Sequence, residues 1–443
     1  MAAKRDGGPA AKRDGGQLER HIGLVGLIFF GIGDILGAGI YGLVGKAAGE
    51  MGNSIWVAFV ASMVAAGLTG LSYACLGSRY PKAGGAAHLT QKAFGSSFIS
   101  YCVGLAALCS GITSMATGSR AFAGYFVGLV GPVPPSLVVA CFCLGIAAVI
   151  LRGIRESMWL NVLCTSIELG GLLIVLIVGL PYLGSVNYFD ATTAANASGA
   201  LSASLVLSGA VLTFYSFIGF ADIINVSEEV EHPERNIPIG ILVAVAVSSL
   251  IYVLISLVAV SVVPAAQLAQ SSKPLVDVVV TAAPRFPPLL FTFIALFAVA
   301  NTSLLNFIMG SRLVYGMASD GLLPKFLGRV SKRRKTPRNA SFAILALLLV
   351  LALSGDISAL ARATSVLLLV CFFSVNLSLV MLKGRKGEKK GRFEVPVVIP
   401  VLGAGVCAAM LAFSKREELL IAGGLMAGIV LLYFLTHRTR PPS

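Results

Sequence analysis

The sequence predicts an all-α integral membrane protein with twelve transmembrane helices. Of its 443 residues, 56% are hydrophobic and only 12% are charged, and the mean hydropathy of +0.88 lies far above that of soluble proteins. Apolar runs of about 20 residues suit a hydrocarbon core of roughly 30 Å. Twelve such runs occur, at about 22–45, 54–77, 97–130, 136–152, 158–181, 204–228, 236–263, 288–318, 340–354, 358–382, 397–413 and 417–436.

The positions of the basic residues predict which ends of these helices face the cytoplasm. With a cytoplasmic N-terminus and alternating loops, 26 of the 34 Lys and Arg residues fall on the cytoplasmic side and six in the outer loops. Arg120 and Arg312 lie within predicted helices. This asymmetry follows the positive-inside rule and predicts that both termini are cytoplasmic. It also accounts for the net charge of +14 without a nucleic-acid partner.

The segments outside the helices are short and polar. Residues 1–20 contain AAKRDGG twice and are expected to form a disordered cytoplasmic tail, and 437–443 form a second short tail. All eight cysteines fall inside predicted helices, where they are expected to act as small packing residues rather than as disulfide partners.

Two of the predicted helices contain residues that disfavour a regular transmembrane helix. GIGDILGAGIYG at 31–42 has five glycines and Asp34, and FYSFIGFADIINVSEEV at 214–230 has Gly219 and Asp222. A glycine costs about 1 kcal/mol in a helix interior relative to alanine, and a carboxylate in hydrocarbon is also unfavourable. Interrupted helices in corresponding halves of a chain indicate the substrate site of a secondary transporter. The alternative is that these glycines only allow close helix packing.

Four segments resemble the amino acid/polyamine/organocation (APC) superfamily, closest in pattern to its cationic-amino-acid-transporter-like branch. They are GIGDILGAGIYGLVG in the first helix, RYPKAGGAAHLTQKAFG at 79–95, FYSFIGFADIINVSEEVEHPERNIPIGI at 214–241 and SRLVYGMASDGLLP at 311–324. The resemblance implies a LeuT-type fold with a transport core at 21–382. Helices 1–5 at 22–181 and helices 6–10 at 204–382 would then be inverted repeats, with helices 1 and 6 broken and helices 11–12 at 397–436 outside them.

The same resemblance implies where an amino acid substrate would bind. The substrate carboxylate would meet unpaired N–H groups at the first break, where a helix N-terminus favours an anion. Main-chain carbonyls around the second break would accept from the substrate amine. The residues implied are Gly37, Ala38, Gly39 and Ile40 at the first break, and Ser216, Phe217, Gly219 and Phe220 at the second.

Two departures from the family pattern concern the substrate side chain. Ser110 stands ten positions before Arg120, where carriers of cationic amino acids often have an acidic residue. The GFD of helix 6 reads Gly-Phe-Ala here, and Asp222 is displaced by one position. A neutral amino acid, small or apolar, is therefore expected. A polyamine or cationic amino acid antiporter on the same fold is the alternative, and a membrane sensor or a channel is a more distant one.

The residues expected to couple transport to an ion are Asp34, Glu168, Thr302 and Ser303. Proton-coupled relatives have a lysine in helix 5 where this sequence has Glu168. Asp34 and Glu168 could face each other in one small polar cavity, where two close carboxylates cannot both be ionised cheaply. A proton is the expected coupling ion. A sodium ion bound also by Thr302 and Ser303 is the alternative, as is a purely structural Glu168.

Gates are expected on both sides of the substrate. Phe214 or, preferably, Phe220 would cover the bound ligand, and Glu229 would close the cytoplasmic end of helix 6 within reach of Arg312. No metal-ligand spacing, nucleotide-binding motif or nucleophile motif occurs, so neither an enzyme nor a cofactor or metal is expected. The expected partners are an amino acid and the lipid bilayer of a plasma (bacterial inner) membrane, with no obligate protein partner.

Overall fold

Helices make up nearly all of the chain that the structure describes. The computed structural model describes residues 18–194, 196–271, 273–354 and 358–437. Of the predicted tails, residues 1–17 and 438–443 lie outside this part of the chain. Within it, ten segments are long and apolar enough to cross a membrane, and Arg338–Leu353 and Val398–Ala412 are shorter apolar helices. The chain therefore has the architecture of an all-helical, multi-pass membrane protein.

Fifteen α-helices are described, and a long 3₁₀ helix, Tyr215–Glu229, lies between the seventh and the eighth. In chain order they are α1 Leu24–Met51, α2 Ile55–Arg79, α3 Gly85–Phe94, α4 Ser97–Val130, α5 Pro135–Arg152, α6 Ile154–Gly179, α7 Ala203–Phe214, α8 Pro233–Val262, α9 Ala265–Gln270, α10 Pro274–Ala282, α11 Pro288–Ser319, α12 Arg338–Leu353, α13 Ser358–Gly384, α14 Val398–Ala412 and α15 Arg416–His437.

The twelve apolar runs in the sequence correspond to these helices, with α7 and the 3₁₀ helix together forming the sixth. Three short helices, α3, α9 and α10, were not predicted, because each has only 6 to 10 residues and lies between two spans. Helix α3 follows Gly84 and Gly85, whose φ angles of 106° and 48° turn the chain sharply after α2.

Both helices that the sequence predicts to be interrupted are irregular in the structure. In α1 the backbone leaves helical geometry at Gly37, with φ 23° and ψ −167°. In the sixth segment the α-helix ends at Phe214, and the following 15 residues form the 3₁₀ helix. Runs of 3₁₀ helix beyond three or four residues are uncommon, and within a helix they often mark a functional site.

Helix α1 lies at the centre of the bundle. It packs against α6, α8, α11 and the 3₁₀ helix. Around it, α2 packs on α8, α4 on α11 and α5 on α12. These contacts pair the second, third and fourth spans with the seventh, eighth and ninth. The two halves of the chain therefore pack on each other span by span.

One end of the bundle, which we call the basic end, is formed by the loops at 79–85, 230–236, 320–337 and 385–397. Glu394 joins two of these loops, because it accepts hydrogen bonds from Arg79 Nε at 2.8 Å and Lys383 Nζ at 2.8 Å. Burial alone would raise the pKa of the Glu394 carboxyl, but the bonds from Arg79 and Lys383 outweigh burial and hold the pKa at about 2. This contact stays ionised at neutral pH and is lost only as the pH falls toward 2.

The opposite end of the bundle is closed by the loop after α6. Trp56 Nε1 donates to Tyr188 O at 2.9 Å, and the Tyr188 hydroxyl lies 2.7 Å from Ser261 Oγ. Helix α9 covers the second half of α1, where a Cβ on Gly45 would lie 2.5 Å from Leu268 O. Because Gly45 has no side chain, the main chain of α1 can touch the main chain of α9 at Leu268.

Candidate functional site

The two irregular segments cross each other in main-chain contact. A Cβ placed on Gly219 would lie 2.5 Å from Asp34 O and 2.7 Å from Ile35 N, so only glycine fits there. A Cβ on Gly39 would lie 3.6 Å from Ser216 Cα, an ordinary contact distance. The structure therefore brings the predicted residues of the two breaks together at the centre of the bundle.

Tyr252 of α8 ties the two breaks to each other. Its hydroxyl donates toward the main-chain oxygens of Ile35, Leu36 at 3.2 Å and Ser216 at 3.1 Å. Where a helix is interrupted, main-chain carbonyls can lose intrahelical partners, and Tyr252 supplies a donor to three carbonyls beside the breaks. Tyr252 is fully buried, and its ring packs edge-on to Phe217 with centroids 5.1 Å apart. Sequence reasoning missed Tyr252, because its partners are main-chain atoms more than 200 positions away or in another span.

Three of the remaining residues assigned to the substrate, Ile40, Ser216 and Phe217, are buried beside the breaks. Ile40 and Phe217 are inaccessible to solvent, and Ser216 is 3% exposed with an Oγ that has no hydrogen-bond partner. Ala38 follows the break in α1. Ser110 is buried in α4, one residue before Gly111, which packs against Met309 of α11. An unpaired hydroxyl beside two helix breaks is a group that a polar ligand could use.

Two further carboxyl groups, those of Asp222 and Glu168, interact with Asp34 near the breaks. Gly219 lies against the main chain of Asp34, and this contact brings the Asp222 carboxyl close to that of Asp34, whereas Glu168 interacts with Asp34 only electrostatically. Glu168 is fully buried, and neither of its carboxyl oxygens has a partner of good hydrogen-bond geometry. Asp222, predicted from the sequence to interrupt the second helix and to bear on substrate selectivity, thus joins Asp34 and Glu168 as a third carboxyl of the site.

A cluster of uncharged polar side chains packs on α1 one turn before its break. Asn301 Nδ2 donates to Thr165 Oγ1 at 2.9 Å, and Thr165 Oγ1 lies 3.2 Å from Asn161 Oδ1. A Cβ on Gly33 would collide with this cluster, since it would lie 2.6 Å from Asn301 Nδ2. The cluster therefore fixes the first half of α1 against α6 and α11.

Thr302 and Ser303 point toward different helices. A Cβ on Gly37 would lie 2.6 Å from Thr302 Oγ1, so Thr302 borders the break in α1. Ser303 Oγ lies against Gly118 of α4, where an added Cβ would be 2.7 Å away. Only Thr302 of the two therefore lies beside the break. Among the described residues, no group of three or more His, Cys, Asp or Glu side chains has the arrangement of a metal site.

The two phenylalanines assigned to gating lie in one aromatic cluster. Phe220 stacks on Phe372 of α13 with centroids 5.4 Å apart and packs edge-on to Tyr73 of α2. Phe214 also packs edge-on to Phe372, at 5.8 Å. Both are buried, at 0% and 2% exposure, so a gating movement would have to take either ring out of this cluster. Their role as gates stays a prediction.

Glu229 forms a fully buried ion pair with Arg312 toward the basic end. Arg312 Nε donates to Glu229 Oε2 at 2.9 Å, Arg312 Nη2 donates to Oε1 at 3.1 Å, and both side chains are 0% exposed. The main-chain oxygen of Glu229 accepts from His21 N and Ile22 N, each at 2.9 Å. Glu229 therefore joins the 3₁₀ helix to α11 and to the chain segment that enters α1.

A solvent-facing cavity of about 420 Å³ opens next to this ion pair at the basic end. Its lining includes Tyr80, Lys82, His88, Glu228 and Tyr315. Glu228 accepts hydrogen bonds from Tyr315 Oη at 3.1 Å and from the main-chain N–H of Ala83 at 3.2 Å. The cavity thus ends at a second contact between the 3₁₀ helix, α11 and the loop after α2.

The fold and the site define the class of protein: a multi-pass membrane bundle in which two interrupted helices meet around buried polar groups, as in secondary transporters. Residues 22–434 match the family model described as amino acid permease. The chain belongs to this family, and the membership of the APC superfamily predicted from four motifs is confirmed.

Individual relatives are similar over most of the chain. "Cationic amino acid transporter 4, vacuolar" of Arabidopsis thaliana is 29% identical over 83% of this chain. "Branched-chain amino acid permease BcaP" of Bacillus subtilis is 25% identical over 97% of it, and the "Methylthioribose transporter" of the same organism is 25% identical over 88%. The alignments cover 64% of the plant protein and 95% and 87% of the two bacterial proteins.

Proposed function

We propose that the protein is a secondary active transporter of amino acids that works by alternating access. The observation that carries the proposal is the crossing of two interrupted helices, in which Gly219 lies against the main chain of Asp34 close to the break at Gly37. Interrupted helices of this kind form the binding sites of secondary transporters. Membership of the amino acid permease family supports the same activity. The protein would move its substrate unchanged, as a permease rather than an enzyme.

We further propose a LeuT-type fold of twelve transmembrane helices with a five-plus-five inverted repeat. The packing of α2 on α8, α4 on α11 and α5 on α12 supports this arrangement, because a two-fold axis relating the halves would bring each helix against its own counterpart. Two further contacts are related in the same way: α4 packs on α13, which joins the third and tenth spans, and α6 packs on α11, which joins the fifth and eighth spans. The two-fold axis would exchange these two contacts. Helices α14 and α15 would lie outside the repeat.

The basic end would face the cytoplasm of a bacterial cell, with the protein in the inner membrane. The loops at this end hold 14 of the 34 Lys and Arg residues, against six in the predicted outer loops, in agreement with the positive-inside rule. They also contact one another: Lys389 of the loop after α13 lies 4.0 Å from Glu234, and Lys82 pairs with Asp320. These contacts support a common side for the loops that the sequence assigns to the cytoplasm.

The substrate carboxylate would bind the main-chain N–H groups from Gly37 to Ile40, and the amine would bind carbonyls near Ser216. The contact between Gly39 and Ser216 supports this arrangement, because it places the two breaks side by side at the centre of the bundle. A neutral, small or apolar substrate fits the absence of a carboxylate at Ser110. One observation favours a cationic substrate instead: Asp34, Asp222 and Glu168 form a cluster of acidic groups at the breaks.

Gly39→Val is expected to abolish substrate binding without unfolding the protein. A Cβ at this position would make only ordinary contacts, so the fold should tolerate it, and the two methyl groups of valine would project beside Ser216, where the substrate is proposed to bind. The variant should purify as a monodisperse species with nearly unchanged thermal stability, and counterflow of a labelled amino acid should be lost. Gly67→Ala in α2, where no atom lies within 4 Å of an added Cβ, is the matched control. Normal counterflow in the Gly39 variant would contradict the assigned site.

The coupling ion would be a proton that binds at Asp34 and Glu168. Both groups are buried next to the breaks, and two ionised carboxylates in a low-dielectric environment repel strongly, so binding of one proton is favourable. Sodium is the alternative. Thr302 borders the break and could contribute an oxygen ligand, whereas Ser303 lies against α4, and this weakens the proposed oxygen cage.

Glu168→Gln is expected to uncouple transport from the proton gradient. Glutamine has nearly the shape of a protonated glutamic acid but cannot release a proton, so exchange across the membrane should continue while accumulation driven by a pH gradient is lost. The measurement is uptake into proteoliposomes under an imposed pH gradient, compared with counterflow at equal pH. Accumulation as in the unmodified protein would show that Glu168 is not involved in coupling.

The identity of the substrate is tested by counterflow with a panel. Liposomes that hold the protein and an unlabelled excess of one compound are given the labelled form outside. The panel contains small and branched apolar amino acids, lysine, arginine, putrescine and a methylthio sugar. Exchange confined to the neutral amino acids is the expected result. Exchange of lysine or putrescine alone would replace the neutral assignment with the cationic one.

A further inference from the structure

The inner halves of the two broken helices touch through a pair of aspartates as well as through their main chains. Asp34 lies in the half of α1 that starts at the basic end, three residues before the break at Gly37. Asp222 lies in the 3₁₀ helix that returns to the basic end, three residues after Gly219. Gly219 lies against the main chain of Asp34, and this contact brings the two carboxyl groups close enough to interact. They are thus placed where the two inner halves would have to separate for a substrate to leave.

A contact between two carboxyl groups is attractive only if a proton is present. An ionised carboxylate is solely an acceptor, whereas a protonated carboxyl donates one O–H bond. With one proton, the O–H of one aspartate donates to an oxygen of the other, and the pair carries a single negative charge. Without it, two negative charges face each other and repel. The same pair therefore attracts or repels according to the presence of one proton.

No basic side chain is among the titratable groups that interact with Asp34 and Asp222, so a bound proton is what would reduce the charge of the pair. Asp34 is 9% exposed, and its Oδ2 accepts no hydrogen bond of good geometry. The titratable groups that interact with the pair are Glu168 from α6, Tyr252 from α8 and Tyr73 from α2. None of these groups is basic. Asn301 and Thr302 of α11 are polar but uncharged.

We propose that one proton shared by Asp34 and Asp222 fastens the inner halves of the two broken helices together, and that its release toward the basic end allows them to separate. The inference rests on the proposed transport function and adds to it: Asp34 shares the coupling proton with Asp222 while the inner pathway is closed, and Glu168 remains the other carboxyl of the proposed coupling site that interacts with Asp34. In this scheme the proton that is transported is also the one that keeps the inner pathway closed.

Two substitutions of Asp222 should have opposite effects. In Asp222→Asn, the side-chain amide can donate to the Asp34 carboxylate without any added proton, so the two halves should stay fastened at every pH. In Asp222→Ala, no hydrogen bond can form, and the halves should be released at every pH. Asp34→Asn should behave like Asp222→Asn, because the amide then donates from the other side.

Hydrogen–deuterium exchange of the purified protein in nanodiscs, without substrate, measures this directly. The peptides of interest cover 22–36 and 218–231, and rates are corrected for the pH dependence of intrinsic exchange. The unmodified protein should lose about tenfold or more of its protection between acidic and alkaline pH, the size expected when one hydrogen bond to a charged group is lost. Asp222→Asn should stay protected at both pH values, and Asp222→Ala at neither.

Peptides from α4 serve as an internal control, since they should not respond to either substitution. Protection that is independent of pH in the unmodified protein would overturn the proposal. So would a result in which Glu168→Gln removes the pH dependence while Asp222→Asn retains it. Because the exchange measurement needs no substrate, a failure of the proposed transport function would appear separately, as absent counterflow. If Asp222→Ala does not fold, the two asparagine variants still decide the question.

Discussion

Arg312→Ala is expected to lower the thermal stability of the protein and to abolish substrate accumulation. The variant would leave Glu229 as an unpaired charge at a site where both partners are 0% exposed. Breaking a buried ion pair by removing one partner costs about 3–5 kcal/mol. We propose that this pair is the inner gate, because Glu229 also holds Ile22 at the start of α1 through its main-chain oxygen. The measurements are thermal unfolding in detergent and uptake into proteoliposomes.

A double variant separates gating from stability. Arg312→Ala combined with Glu229→Ala removes the unpaired charge, so part of the lost stability should return. Accumulation should not return, because the 3₁₀ helix would still lack its attachment to α11. Lys415→Ala is a matched control for an ion pair: Lys415 lies 3.7 Å from Glu50 but is 72% exposed, so its loss should matter by less than about 1 kcal/mol. If the double variant accumulates substrate normally, the pair is structural and not a gate.

Gly219→Ala is expected to abolish transport, although it adds a single methyl group. The added Cβ would lie 2.5 Å from Asp34 O and 2.7 Å from Ile35 N. These are main-chain atoms, so the strain can be relieved only if the two broken helices move apart. Inserting a methyl group into a well-packed interior typically costs about 1–3 kcal/mol. A loss of counterflow together with a lowered unfolding temperature is the expected result.

Gly39→Ala is the matched comparison for this substitution. It lies at the same crossing, but its Cβ would make only ordinary contacts at 3.6 Å, so folding should be unaffected. The difference in unfolding temperature between the two alanine variants therefore measures the crossing itself. Equal stability and equal counterflow in both would mean that the two helices do not touch at Gly219 in the functional protein.

The sequence predicted the apolar helices and the position of the break in α1. Hydropathy identifies α4 with its bounds and α1 up to six residues before its end, because burial in lipid demands continuous apolar segments. Glycines in the interior of a span marked the break at Gly37, where a positive φ of 23° favours glycine over other residues. The reach between Glu229 and Arg312 was also visible, since Glu229 follows one long apolar run and Arg312 lies near the end of another, and both runs end on the same side.

Hydropathy and glycine content could not predict which side chains contact each other within the site. Whether Asp34 meets Asp222 or Glu168 depends on how the 3₁₀ helix rotates about its axis, and a 3₁₀ segment of 15 residues has no clear signature in the sequence. Thr302 and Ser303 face different helices because adjacent residues on an α-helix point about 100° apart. Which of the two faces α1 depends on the rotation of α11 about its axis. Tyr252 binds main-chain oxygens, and because every residue has one, the sequence does not show which of them a tyrosine will contact.

The most direct test of the account is accumulation of a labelled neutral amino acid by proteoliposomes under a pH gradient that is alkaline inside. For a proton-coupled amino acid transporter, we expect accumulation above equilibrium that collapses when the gradient is dissipated. We expect no accumulation in Gly39→Val or in Glu168→Gln, and counterflow only in Glu168→Gln. Accumulation that follows a sodium gradient and ignores the pH gradient would contradict proton coupling. Failure of every amino acid to enter, with the protein folded in the membrane, would contradict the assignment of an amino acid transporter.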